Sequence, residues 1–166
     1  MSQFAPARPR PLDAPVSIAV VASLYNNQFV QGLVNAVAAV LEDLAPQATV
    51  DVYRVPGAFE IPVTTELVLR NTKPDAVITL GVIIRGSTQH ADLVGSSVTQ
   101  ALQDMAVRHC TPVVHEVLLV DDAQQAEERC LGATINRGTE AARVCVQMIN
   151  LFAKMRAGFA GEAELA

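Results

Sequence analysis

Four short segments rich in β-branched residues alternate with stretches of helical periodicity: VSIAVVAS at 16–23, ATVDVYRV at 48–55, DAVITLGVII at 75–84 and PVVHEVLLV at 112–120. Segments that stay apolar without alternating, as the first and third do, belong to strands buried on both faces. Between them, Val30, Leu33, Val34, Val37 and Leu41 recur at helical spacing after Asn26 and Asn27, which offer N-caps. AFEIPVTTELVLRN predicts a second helix with Pro62 in its first turns, and Leu93, Val94, Val98, Leu102 and Met105 mark a third over about 89–109. AQQAEERCL predicts a short helix and TEAARVCVQMINLFAKMR a long terminal one. This alternation implies one α/β domain, a three-layer α/β/α sandwich whose four-stranded parallel sheet is joined by right-handed crossovers. Residues 1–15 hold four of the nine prolines and predict an extended arm outside the core; 16–157 form the domain and 158–166 a loose tail.

Ligands of such sheets bind outside the carboxyl ends of the strands. That directs attention to Tyr25 and Asn26, to 56–60, to 82–90 and to the end of the fourth strand. The composition narrows the ligand class. Twelve Lys and Arg against 17 Asp and Glu, a net charge of -5, leave no basic footprint for nucleic acid. No apolar run reaches the roughly 18 residues of a membrane span, and the N-terminus has no apolar core of a signal peptide. Cys110, Cys130 and Cys145 match neither a zinc pair nor a disulfide framework and predict buried thiols in a reducing cytoplasm. GxGxxG, Walker, HExxH and paired CxxC patterns are missing, so neither cofactor nor metal is expected. With 51% hydrophobic and 17% charged residues, the chain carries more apolar material than one small domain hides, which points to a homo-oligomer.

LGVIIRGSTQH, 80–90, passes within a few residues from a buried strand to small donors, a fixed charge and a titratable ring. Gly86 permits close backbone approach, and Ser87 with Thr88 at a helix start suits a phosphate or serves as ordinary N-caps. His90, just beyond, has the intrinsic pKa for proton transfer at cellular pH; His109, in a last helical turn, reads as structural. In VPGAFE, Ala58, Phe59 and Glu60 can hydrogen-bond a polar heteroaromatic ring with Tyr25 stacked on it, while Glu60 also complements a helix dipole. Arg129, Arg137 and Arg85 are the candidate cations for a phosphate.

VPGAFEIPV, DAVITLGVIIRGSTQH, QQAEER and NRGTEAA, in this order and spacing, resemble the lumazine synthase family over roughly 16–157. The resemblance implies a flavodoxin-like sandwich and a cofactor-free condensation of 5-amino-6-(D-ribitylamino)uracil with 3,4-dihydroxy-2-butanone 4-phosphate. It implies Tyr25, Ala58, Phe59, Glu60, Val82, Ile83, Ile84 and His115 at the pyrimidine and ribityl groups, Ser87, Thr88 and Arg129 at phosphate, and His90 as proton donor. It also implies pentamers with sites between subunits, assembled in some members into decamers or sixty-subunit shells. The chain departs from the family pattern at several positions. His115 and Glu116 stand for an aromatic followed by Gly, Arg137 for Lys, Leu24 for Arg, Leu119 and Val120 for a Thr-containing turn, and Ala91 and Leu93 for aromatics. These departures motivate an alternative, a catalytically reduced relative acting as a scaffold or flavin-like ligand binder.

Overall fold

The computed structural model describes residues 6–163. Its elements run β1 (Ser17–Ser23), α1 (Asn27–Leu44), β2 (Thr49–Val55), α2 (Ile61–Asn71), β3 (Ala76–Ile84), α3 (His90–His109), β4 (Val113–Val120), α4 (Ala123–Cys130) and α5 (Arg137–Ala163). A 3₁₀ turn, Ala58–Glu60, precedes α2, and Pro62 occupies its first turn, where a missing N–H costs nothing. The sheet is entirely parallel, in the order β2-β1-β3-β4. This is the three-layer architecture that the sequence pattern predicts.

Each strand divides its side chains between two cores, as the two-residue period requires. Ile18, Val20 and Ala22 of β1 and Ile78, Leu80 and Val82 of β3 pack with α1, α4 and α5. Ala19, Val21 and Val77 face α2 and α3 through Ile61, Val68, Val98 and Leu102. Gly138 lets α5 close on α1: a Cβ there would stand 2.5 Å from the Leu33 carbonyl oxygen. The edge strand β2 is the exception to full coverage, with 49–52 exposed.

Three expectations change. Leu12 is buried in the core and its N–H donates to the Leu44 carbonyl at 2.8 Å, so the arm is not wholly outside it. Arg8 pairs with Asp43 at 2.8 Å, and Asn150 donates to the Arg10 carbonyl. One apolar residue among prolines suffices to anchor the segment; 1–5 lie outside the described residues. At the other end, α5 continues through Ala163, so helix replaces loose chain over 158–163, while 164–166 lie outside the description. Finally, Cys130 and Cys145 are buried and unpaired, but Cys110 is exposed at the left-handed C-cap of α3.

Candidate active site

Where β1, β2 and β3 end, a cleft of about 1040 Å³ opens between the strand ends and the first turns of α3. Its walls include Tyr25, Asn26, the 57–60 turn, Val82, Ile83, Ile84, Gly86, Thr88 and His90. The backbone geometry explains the gathering. Pairing of β1 with β3 stops at Leu80, whereas pairing of β3 with β4 continues to Ile84. The β1-facing edge of Val82–Ile84 therefore has no strand partner and borders the cleft, leaving its amides and carbonyls to other groups.

Asn26 takes one of them. Its Nδ2 donates to the Val82 carbonyl at 2.8 Å, and its backbone is left-handed (φ 55°), a conformation that Asn tolerates better than most residues. The side chain makes no cap hydrogen bond to α1, so Asn26 ties two strand ends together instead of capping. Tyr25 is 71% exposed above the cleft, its N–H bonded to the Pro56 carbonyl at 3.0 Å. Its ring lies so close to Gly57 that a Cβ there would meet it at 3.0 Å. Glu60 turns one carboxylate oxygen back to the Gly57 N–H at 2.9 Å, so it fixes the turn as well as lining the cleft. Ala58 is buried and Phe59 is 63% exposed at the rim.

At the third strand end, Gly86, Thr88 and His90 reach the cleft, and Ser87 stands beside them without lining it. Thr88 Oγ1 accepts from the His90 N–H at 3.4 Å, so the helix-start role and the cleft position coexist. Leu93, Val94 and Ser97 extend the wall along one face of α3. The sequence reading assigned none of these three to a ligand, and pointed to Asn26 only by its place at the first strand end. The spacing of 90, 93, 94 and 97 was the available signal.

The remaining candidates lie elsewhere. Arg129 is in the last turn of α4 and does not line the cleft. His115, on β4, lies in a groove against α3 with Thr99 and Gln100. The Thr99 hydroxyl donates its one hydrogen to the Gly95 carbonyl at 2.8 Å. It therefore accepts from His115 Nε2 at 3.0 Å, and Nδ1 is left as the acceptor of the neutral ring. Solvent reaches part of the ring, but packing lowers its pKa below the usual histidine value. His109 pairs with Glu66 at 2.9 Å, in keeping with a structural role. Arg137 does not line the cleft, and its guanidinium grips Glu116 at 3.0 and 3.1 Å and Glu140 at 2.6 Å. Arg85 bonds Asp92 and Asp121.

Comparison with known proteins decides the family. Residues 15–153 match the 6,7-dimethyl-8-ribityllumazine synthase family. A protein of that name from Chlorobium phaeovibrioides is 36% identical over 139 residues, 83% of this chain and 90% of its own length. Another from Campylobacter fetus is 35% identical over 147 residues, 88% and 94% of the two chains. One from Leuconostoc mesenteroides is 33% identical over 140 residues, 84% and 90% of the two chains. The chain belongs to the lumazine synthase family.

Within that family, two departures of this chain resolve into one contact. Glu116 is 6% exposed on β4, and its bidentate partner is Arg137. Burial pushes the Glu116 carboxyl up to about 7 against the pull of Arg137. Glu116 and Arg137 thus satisfy each other inside the chain, as a buried charge without a partner is costly.

Proposed function

We propose that this lumazine synthase family member condenses 5-amino-6-(D-ribitylamino)uracil with 3,4-dihydroxy-2-butanone 4-phosphate to 6,7-dimethyl-8-ribityllumazine, a step of riboflavin biosynthesis. The observation that carries the assignment of roles is the unpaired backbone edge of Val82–Ile84, bordered by Tyr25, Glu60, Thr88 and His90 in one cleft. A uracil edge offers alternating donors and acceptors to such a strand end, with Tyr25 stacked on the ring and Ala58, Phe59 and Glu60 toward the ribityl chain. The 5-amino group attacks the ketone to give an imine and water, phosphate departs, and ring closure expels a second water. His90 moves protons, while Ser87 and Thr88 hold the phosphate. Holding two reactive partners together supplies much of the acceleration.

Among the described lining residues only His90 is basic, so the phosphate charge calls for a cation from outside this cleft. In this reading Arg129 and His115 come from a neighbouring copy in a pentamer. The exposed rim of Tyr25, Phe59, Val63, Leu67 and Leu93 supports burial against another subunit. A cytoplasmic site of action accords with substrates made there. Lumazine formation, followed by absorbance against the uncatalysed rate, tests the activity; a rate equal to background from a folded oligomer rejects it.

A further inference from the structure

Arg85 lies one residue past β3, its N–H bonded to the Val120 carbonyl at 2.9 Å, and its side chain does not line the cleft. The guanidinium donates to one Asp92 oxygen through Nη2 at 2.8 Å and Nε at 3.3 Å, and to Asp121 through Nη1. Asp121 is itself held by α4, accepting from Gln125 Nε2 at 2.9 Å while its N–H donates to Gln125 Oε1 at 3.2 Å. Hydrogen bonds from Arg85 hold Asp92 below the usual carboxylate range; Asp121 is lowered by Gln125 first and Arg85 second.

The covalent path makes this arrangement matter. Residues 85 and 92 bracket 86–91, the segment with Gly86, Thr88 and His90, and their ion pair closes it like a clasp. A lone exposed ion pair contributes little to global stability, but here one fork joins two carboxylates from different elements. The relevant scale is the local opening of this six-residue segment, a loop that runs into the first residues of α3, which is far easier than unfolding the domain.

We infer that Arg85 is a positioning residue: through Asp92 and Asp121 it holds the 86–91 loop in register with the Val82–Ile84 edge, so that Thr88 and His90 meet the substrate together. What Thr88 and His90 do there rests on the proposed function; the clasp itself does not. The test compares Arg85→Glu, Asp92→Arg and the charge-reversed double variant in the full-length protein. Hydrogen exchange of the 86–91 amides is followed beside thermal melts and steady-state kinetics. Each single variant is expected to speed exchange of those amides about two- to fivefold, the upper part of the range of exposed ion pairs. It should raise KM for the butanone phosphate and the inhibition constant of inorganic phosphate by a similar factor, leaving KM for the diamine in place. The double variant should move all three readouts part of the way back, since it restores the 85–92 pair with its sign reversed while the carboxylate at 85 still faces Asp121. Unchanged loop exchange in both single variants, or a double variant no better than the worse single, overturns the clasp. Should the charge reversals fail to fold, Arg85→Gln and Asp92→Asn carry the same exchange comparison without rescue. If the wild type makes no lumazine, the exchange data still decide the clasp, and the kinetic failure falls on the proposed function alone.

Discussion

At the carboxyl ends of β1, β2 and β3, every candidate side chain but Arg85 and Ser87 turns into a single cleft; on β4, α4 and the start of α5, no candidate does. Both regions carry the charged and aromatic residues expected of a site, yet they use them differently. In the first, strand ends converge and leave backbone edges unpaired, so residues that follow each strand reach common ground. In the second, Glu116 and Arg137 satisfy each other within the chain and His115 leans on Thr99. The cleft forms where β1–β3 pairing stops at Leu80, whereas His115 and Glu116 stand inside β4, opposite Thr79 and Leu80, with the sheet paired on beyond them.

The sharpest way to break this contrast is Glu116→Ala, which leaves Arg137 with Glu140 alone. We expect a loss of about 1–3 kcal/mol in unfolding free energy, the range for a polar group that loses its buried partner. Glu116→Ala with Arg137→Ala, which removes both charges, should recover part of it in the same denaturant titration. A single variant as stable as wild type would place Glu116 outside the chain's internal packing. Next in size is His90→Ala, expected to slow turnover about 10- to 100-fold without abolishing it, because positioning remains. Complete loss in a folded protein would mean that proton transfer dominates. Asn26→Gly keeps the left-handed backbone accessible and deletes only the tie to Val82. KM for the diamine should rise about fivefold, the worth of one hydrogen bond near 1 kcal/mol. An unchanged KM would detach Asn26 from the strand edge.

pH dependence gives an independent check on the same pair. Glu116 has its folded pKa raised from 4.5 to about 7, so the folded state keeps the proton longer than the unfolded chain. Its contribution is fully present below about pH 4.5 and is lost as pH rises through 7. Glu116→Gln should flatten the pH profile of stability across that window, and equal slopes in the two proteins would contradict the assignment.

How far these regions were legible in sequence follows from the distance between partners. The strands and helices depend on periods of two and 3.6 residues, which a reader sees within a dozen positions, and they stand almost where predicted. The cleft's Tyr25, 57–60 and 82–90 segments follow their strands directly, so a parallel topology was enough to unite them. The contacts that were missed join positions far apart: Asn26 with Val82, Leu12 with Leu44, Glu116 with Arg137. Asn26 looked like a cap because local pattern favours that use, and Arg137 looked like a phosphate ligand because nothing near it in sequence announces Glu116. The helix beyond residue 157 was underestimated because Gly158 and Gly161 read as breakers.

The strand order also sets a schedule for synthesis. β2 adds to one side of β1, β3 to the other, and β4 to β3, so each strand leaving the ribosome meets an edge already present and none must insert between two others. Only the covering layer arrives out of step. α1 is made first but receives α5 last, across Gly138, and until then one face of the nascent sheet, covered by α1 and α4 alone, waits for the rest of its lid. A stalled or truncated chain that ends before α5 would hold a finished sheet with an apolar face open to chaperones, proteases and its own siblings.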